Sequence, residues 1–212
     1  VSIFVSWVSG KFGRAVRLSP TLSSGCANQG AGVYQNNLPT AVRNLPQSRF
    51  TLGWWNRIPA GVTGLTRIHL ATSVGVTGCG SCTIWNQQNH VYIRHAANPT
   101  SGAYDLFYTP PDDGAWHHYA FVFDRVGLKT QLFVDGVVVA EKTIAAEDYG
   151  TIQWISLGVY QPICVDSIPG EEIDDTRLYS SVLTTNDIRM LAEAGGWVSD
   201  SYPGREFLMS QS

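Results

Sequence analysis

The chain has 212 residues, of which 44% are hydrophobic and 15% are charged, and its formal net charge is −3. This length suits a single all-β sandwich, and the hydrophobic share is enough for a full core. The weakly negative charge argues against a protein that reads nucleic-acid phosphates, and no apolar run reaches the roughly 18 residues of a membrane-spanning helix. We therefore expect neither a nucleic-acid partner nor insertion into a membrane.

Strand-like segments follow one another along most of the chain and are separated by turn sequences. The predicted strands are 14–19, 50–55, 66–75, 90–95, 105–109, 116–124, 130–135, 136–141, 152–158 and 172–179. The strongest local signal is LFV-DG-VVV, in which Asp135 and Gly136 tolerate the positive φ that a two-residue type I′ turn requires. This turn is expected to fix the register of Leu132, Val134 and Val138.

One short helix is predicted near the end of the chain, in LTTNDIRMLAEAGG. Thr184 can cap its first turn, Asp187 favours the positive end of the helix, and Gly195-Gly196 can end it. Its apolar stripe consists of Leu183, Ile188 and Leu191. A single late helix after many strands predicts one all-β domain over residues 1–212.

The four cysteines are Cys26, Cys79, Cys82 and Cys164. They contain only one C-x-x-C pair, whereas a structural zinc site normally supplies two. Cys79 and Cys82 could form a disulfide across a tight turn in an oxidising setting. Free buried thiols are the alternative, and the spacing alone does not decide between the two.

Four segments, in chain order, resemble one family. They are GKFGRAVRLS (10–19), the tryptophan strand FTLGWWNR (50–57), WHHYAFVFDRVGLKTQLFVDGVVVA (116–140) and IDDTRLYSSVLTTNDIRMLAEAG (173–195). Together they are similar to the laminin-G-like, concanavalin-A-like lectin and glucanase jelly rolls, over about residues 10–195, with a tail at 197–212 beyond the match. The resemblance implies an antiparallel two-sheet jelly-roll sandwich with one concave sheet. Family members bind glycans, bind proteins, hydrolyse polysaccharides or build particles, so the family alone does not define the function.

Two acids in EEIDDTRLYS bear on the hydrolase alternative. The retaining laminarinase-type glucanases of this fold carry Glu-x-Asp-x-x-Glu on one strand, and Glu172 and Asp174 match the first two positions. Retention needs two carboxyl groups roughly 5–5.5 Å apart, but the third position is Arg177, whose pKa above about 12 prevents proton delivery. In a regular strand Arg177 would face away from Glu172, on the side of Asp175, with which it could pair. We therefore predict no catalytic residues and no enzymatic activity.

Aromatic residues are numerous, with seven Trp and nine Tyr, and flat sugar faces stack on exposed rings. Trp54 continues the apolar row of Phe50 and is expected in the core. Trp55 would then face outward, onto the concave surface near His69 and Arg94. Trp55, His69 and Arg94 are the candidate glycan-binding residues.

Loop acids are the candidate metal ligands. TPPDDG (109–114) and DSIPGEE (166–172) supply Asp112, Asp113, Asp166 and Glu171. Calcium takes oxygen ligands from such loops, and some members of the resembling family bind it there. No cofactor is otherwise required, and solvated loop acids are the alternative. The adjacent histidines 117–118 alternate onto opposite faces, so they predict no zinc site.

Three functions remain as hypotheses. The first is a non-catalytic lectin-like module that binds a glycan or a surface partner. The second is a purely structural virion decoration, fibre or capsid component, and the third is a glycoside hydrolase. The low charge and the apolar opening segment VSIFVSWVSG favour a subunit of a homo- or hetero-oligomeric assembly, with neighbouring subunits as partners, outside the cell or on a virion surface.

Overall fold

The computed structural model of the chain describes residues 5–18, 33–35, 37–61, 68–72, 82–87, 90–93, 102–157, 159–161, 164–165, 170–194 and 206–208. The strands are β1 (Val5–Ser9), β2 (Arg14–Leu18), β3 (Val33–Gln35), β4 (Arg49–Arg57), β5 (Ile68–Thr72), β6 (Cys82–Gln87), β7 (His90–Ile93), β8 (Leu106–Phe107), β9 (Trp116–Asp124), β10 (Lys129–Val134), β11 (Val137–Thr143), β12 (Ile152–Leu157), β13 (Val159–Gln161), β14 (Cys164–Val165), β15 (Glu172–Tyr179) and β16 (Glu206–Leu208). The helices are α1 (Thr40–Arg43), the 3-10 helix η1 (Leu45–Gln47) and α2 (Thr185–Ala194).

Within these residues the strands form two main antiparallel sheets. The larger sheet has the order β1-β2-β15-β4-β9-β10-β11, with β16 paired beside β15. The smaller sheet has the order β3-β12-β5-β6-β7-β8, and β13 and β14 form a separate ribbon. This confirms the predicted all-β, two-sheet antiparallel jelly-roll architecture with a short C-terminal helix. Of the described residues, no helix is long and apolar enough to cross a membrane.

The core lies between the two sheets. Phe50, Leu52 and Trp54 alternate along β4 into one buried cluster with residues of the smaller sheet such as Ile93 and Ile155. The Trp54 ring is 1% exposed, and this places Trp54 in the core as predicted. The second face of the larger sheet points away from this core.

The predicted hairpin is confirmed. Asp135 and Gly136 have φ values of 48° and 80°, which is the positive-φ pair of a type I′ turn. Val134 pairs with Val137 and Phe133 with Val138, and a register shift follows between Leu132 and Phe133. The turn therefore sets the register of β10 and β11, as its sequence predicts.

Helix α2 covers one half of the outer face of the larger sheet. Thr184 caps the start of the helix, as predicted. Asp187 N donates to Thr184 Oγ1 at 3.2 Å, and Thr184 N donates to Asp187 Oδ2 at 2.8 Å. The predicted apolar face packs on Ala120, Val122, Phe133 and Tyr179 through Leu183, Ile188 and Leu191. Gly195 and Gly196 lie outside the described residues. The other half of this sheet face carries polar side chains.

Each of the ten predicted strands overlaps a strand of the structure; β9 and β15 have the predicted ends, and the ends of the other eight are shifted. The strands that the sequence pattern does not reveal are β1, β3, β6, β13, β14 and β16. Four of these six have only two or three residues, too few to show an alternating pattern. The short helix α1 and the 3-10 helix η1 are missed for the same reason.

Candidate functional site

The candidate site lies on the half of the larger sheet that α2 leaves uncovered. Cross-strand pairing aligns Arg17, Glu172, Arg57 and Trp116 in one row across β2, β15, β4 and β9. Directly paired residues share a sheet face, so these four side chains lie on the same surface. We call the surface formed by Lys11, Arg17, Arg57, Trp116, Glu172 and Asp174 the outer polar patch.

Glu172 is the buried centre of the patch, with 1% of its side chain exposed. Its Oε1 accepts from Nε and Nη2 of Arg17 at 2.9 and 2.6 Å. Its Oε2 lies 2.5 Å from Nη2 of Arg57. The guanidinium of Arg57 also lies over the Trp116 ring, 5.3 Å from its centroid. Both carboxylate oxygens are therefore engaged in ion pairs rather than presented to a substrate.

Asp174 is held by the turn between β1 and β2. Its Oδ2 accepts from Phe12 N and its Oδ1 accepts from Asp175 N, both at 2.8 Å. A Cβ at Gly10 would collide with Oδ2 of Asp174, so the turn closes on the carboxylate only because residue 10 is glycine. Burial raises the pKa of Asp174, and the hydrogen bond from Phe12 N opposes this. Asp174 thus fastens the turn to the sheet.

A β-bulge interrupts β15 between these acids and the arginine that follows. Asp174 pairs with Trp55 and Arg177 pairs with Gly53. Three residue positions along β15 therefore correspond to two along β4. Asp175, within the bulge, has a φ of 47° in the left-handed region. One extra residue in a strand shifts the alternation of all the following side chains.

The bulge corrects one expectation and confirms another. The expectation that Arg177 faces away from Glu172 is wrong, because the extra residue returns Arg177 to the outer face. The predicted pairing of Asp175 with Arg177 is confirmed, with Nε donating to Oδ1 at 2.7 Å. An arginine therefore stands on the Glu172 face at the third position of the glucanase pattern.

Trp55 lies on the outer face, opposite in direction to Trp54, but the expectation that its ring is exposed is wrong. The residue is 4% exposed. The turn between β1 and β2 covers it, because Phe12 contacts the ring edge-on with centroids 5.5 Å apart and Lys11 Nζ lies 4.7 Å above it. The third contact is His118, at a centroid distance of 5.3 Å.

The predicted glycan-binding trio is not brought together on one described surface. His69 lies on β5 of the smaller sheet, whereas Trp55 lies on β4 of the larger one. Arg94 lies outside the described residues. Trp55 and His69 thus lie on different sheets, and the glycan-binding role of the three residues stays a prediction.

The adjacent histidines lie on opposite faces, as alternation predicts. His118 is 4% exposed, and burial lowers its pKa to about 4. His117 lies between two carboxylates, with Nδ1 2.6 Å from Asp135 Oδ2 and Nε2 3.1 Å from Asp113 Oδ1. Burial favours the neutral ring of His117, but the bonds to Asp135 and Asp113 prevail and raise its pKa. The two carboxylates approach opposite edges of the ring, so they share no metal position with it.

The structure describes three of the predicted calcium ligands, of which two already accept hydrogen bonds from the protein. Asp113 Oδ1 accepts from Ala115 N at 2.8 Å, and the fully buried Glu171 accepts from Asn56 Nδ2 at 3.0 Å. Asp112 is exposed in the same loop as Asp113. Among the described residues, no three His, Cys, Asp or Glu side chains form a group that could hold a metal ion. Asp166 lies outside those residues, and the calcium site stays a prediction.

The proposed disulfide also stays a prediction. Cys82 is the first residue of β6, and Cys79 lies outside the described residues.

The residues of the patch that sequence reasoning missed are Lys11, Arg17, Arg57 and Trp116. Alternation offered a partial signal, since Arg57 is two residues from Trp55 on the same strand and must share its face. The order of the strands, which places β2 and β4 on either side of β15, was the missing information.

Comparison with known proteins identifies relatives of the fold. The sequence model of the concanavalin A-like lectin/glucanases superfamily matches residues 31–189. No curated protein sequence matches the chain. The binding domain of Paraclostridial Mosquitocidal Protein 1 superposes with a TM-score of 0.65 at 14% identity, covering 92% of this chain and 46% of that one.

Two further similar structures contain a ligand. The binding domain of botulinum neurotoxin DC in complex with SialylT has a TM-score of 0.62 at 15% identity, covering 90% of this chain and 44% of that one. Domain 4 of AbnA, an extracellular GH43 arabinanase from Geobacillus stearothermophilus, in complex with arabinotriose, has a TM-score of 0.53 at 18% identity and coverages of 89% and 81%. The chain thus spans less than half the length of the toxin domains, and the likeness concerns the fold.

Proposed function

This chain belongs to the concanavalin A-like lectin/glucanases superfamily, and we propose that it is a non-catalytic, lectin-like recognition module that binds a glycan at the outer polar patch. The observation that carries the proposal is that Glu172 is buried and paired with two arginines. The carboxylate at the first position of the glucanase pattern is held between Arg17 and Arg57. Such an arrangement fixes polar groups in place for binding and offers no free carboxyl pair for hydrolysis.

The rest of the pattern supports binding over cleavage. Arg177, on the same face, stands where a retaining glucanase keeps a carboxylic acid, and a guanidinium does not deliver a proton at neutral pH. Asp174 is 3% exposed and already accepts two backbone hydrogen bonds. The acids of this strand therefore act as supports for the patch.

The structural relatives are consistent with this class of function. One toxin binding domain is in complex with SialylT, and the arabinanase domain is in complex with arabinotriose. We place the module outside the cell, like the extracellular arabinanase, where it would act within a larger assembly. A purely structural role in a virion is the alternative.

A glycan array tests the proposal. We expect the wild-type chain to bind a subset of glycans and Arg57→Ala to lose this binding. Arg189→Ala is the matched control, because Arg189 is an exposed arginine on α2, on the covered half of the same sheet. A folded wild-type chain that binds no glycan would remove the lectin proposal and favour the structural role.

A further inference from the structure

We infer that the outer polar patch selects glycans that carry an acidic group, a carboxylate or a sulfate, which Arg17 and Arg57 bind directly. This inference rests on the proposed function and narrows its ligand class. It is carried by how the charges of the patch are distributed between the surface and the interior.

The cations of the patch are exposed and the acids are buried beneath them. The side chains of Arg17 and Arg57 are 43% and 36% exposed, whereas Glu172 is 1% exposed. One carboxylate shared by two guanidinium groups leaves this cluster with one net positive charge. A ligand therefore meets cations first, although the chain as a whole has a net charge of −3.

Both guanidinium groups are held in position before any ligand arrives. Arg17 uses Nε and Nη2 for Glu172, so its Nη1 takes no part in that bond. Arg57 is fixed by Nη2 on Glu172 and by the Trp116 ring. Planar guanidinium groups bind carboxylate and sulfate oxygens through paired hydrogen bonds, and prior ordering reduces the entropy lost on binding.

A third cation extends the same surface. Lys11 is exposed, and its Nζ lies above the ring of Trp55. Trp55 and Arg57 lie on the same face of β4, two residues or roughly 6–7 Å apart along the strand. The nearby Asp174 is buried and bonded to backbone N–H groups. The exposed charged groups of the outer polar patch, which are Lys11, Arg17 and Arg57, are therefore donors only.

This arrangement discriminates between neutral and acidic sugars. A neutral glycan uses its hydroxyl groups both to donate and to accept, so it gains most where acids or amides are exposed as acceptors. Arginine and lysine accept nothing. The carboxylate or sulfate of an acidic sugar instead neutralises the net charge of the patch, and its oxygens accept hydrogen bonds from the N–H groups of Arg17 and Arg57.

Titration calorimetry with matched sugars tests the inference. The probes are sialyllactose and a glucuronic-acid disaccharide for the carboxylate, a sulfated lactose for the sulfate, and lactose and the methyl ester of sialyllactose as neutral references. We expect at least one acidic sugar to bind about tenfold or more tightly than its neutral reference, and to weaken between about 50 mM and about 300 mM NaCl. The arm that binds identifies carboxylate or sulfate as the recognised group.

Variants assign the binding to the two arginines. Arg17→Ala and Arg57→Ala should each weaken binding of the acidic sugar about ten- to a hundredfold, as expected for lost charge-assisted hydrogen bonds. Arg57→Lys, which keeps the charge but not the planar fork, should lose part of the affinity, and Arg189→Ala should lose none. If the alanine variants do not fold, the wild-type comparison of each acidic sugar with its neutral reference decides alone.

The failures of the two proposals are distinguishable. Neutral glycans that bind as tightly as their acidic counterparts, without salt dependence, would overturn the acidic-sugar inference and leave the lectin proposal standing. Acidic binding that survives in both folded arginine variants would also overturn it. A wild-type chain that binds none of the probes and no glycan on the array would overturn both.

Discussion

The buried carboxylate of Glu172 and the guanidinium of Arg57 lie 2.5 Å apart on the neighbouring strands β15 and β4. Arg17, on the strand at the other side of β15, engages the second oxygen of the same carboxylate. One acid therefore links three adjacent strands of the larger sheet. It also orients the two exposed arginines on which we base recognition, so it serves both stability and binding.

Replacing Glu172 by glutamine should destabilise the fold. The change leaves two like-charged guanidinium groups beside a neutral amide, and breaking a fully buried ion pair costs about 3–5 kcal/mol. Because both arginines are partly exposed, we expect a smaller loss of about 1–3 kcal/mol in the free energy of unfolding. Urea denaturation of both proteins measures it.

The control for this change is Glu141→Gln. Glu141 pairs with Lys129 at 2.7 Å, and both side chains are close to half exposed. Such exposed pairs contribute little to stability, because solvent and salt screen them, so we expect a clearly smaller loss than for Glu172→Gln. Equal losses for the two variants would show that Glu172 is not the central support of the patch.

Trp55→Ala should act on stability before it acts on binding. The ring is 4% exposed and packs against Phe12 and His118. Truncation of a buried aromatic residue costs about 3–5 kcal/mol, whereas Trp116→Ala, at a half-buried position, should cost clearly less. Thermal unfolding separates the two. A Trp55→Ala protein of wild-type stability that loses only glycan binding would restore Trp55 as a stacking residue.

Gly136→Ala should cost more stability than Gly61→Ala. Both glycines have positive φ, 80° and 69°, so an alanine at either position is strained by about 1–2 kcal/mol. At residue 136 the new Cβ would also lie 3.0 Å from Cα of Arg189 on α2, whereas nothing lies within 4 Å at residue 61. We expect an additional loss of about 1 kcal/mol or more at residue 136 from this overpacking, measured by urea denaturation. Equal losses would mean that α2 does not rest on this turn.

The histidine pair predicts two pH effects of opposite sign. In the unfolded chain His118 takes up a proton near its usual pKa of 6.5. In the folded chain burial lowers this pKa to about 4, so the ring stays neutral until the pH is much lower. The free energy of unfolding should therefore fall as the pH drops through this window, by about 2 kcal/mol between pH 6.5 and about 5. His118→Gln should lack this part of the fall in urea denaturation at the two pH values.

His117 acts in the opposite direction. Burial would lower its pKa, but the bonds to Asp135 and Asp113 raise it above the unfolded value of 6.5. Its stabilising contribution is therefore complete below pH 6.5 and is lost as the pH rises through the folded pKa. In His117→Gln this loss of stability at alkaline pH should be absent. A variant whose free energy of unfolding falls with rising pH as steeply as that of the wild type would contradict the two hydrogen bonds of His117 to Asp135 and Asp113.

The elements that the sequence predicted well are those whose cause is local. The Asp135-Gly136 turn and the Thr184 cap each depend on residues within a few positions, so their conformation follows from the sequence itself. The core position of Trp54 followed from simple alternation along β4. These features needed no knowledge of the strand order.

The candidate site could not be predicted in the same way, because its parts are distant in sequence. Arg17 and Glu172 are 155 positions apart and meet only through the pairing of β2 with β15. The bulge after Asp174 reverses the face of Arg177, and a rule of strict alternation cannot foresee it. The burial of Trp55 depends on a turn that closes over it from another strand.

The most direct test is whether the chain cleaves the sugars that it binds. Glycans that bind the wild-type chain on the array, together with β-glucans, are incubated with it and the products are analysed by mass spectrometry. We expect unchanged glycans after prolonged incubation and binding that disappears in Arg57→Ala. Release of shorter sugars by the wild-type chain, abolished in a folded Glu172→Gln variant, would show that this domain hydrolyses its ligand.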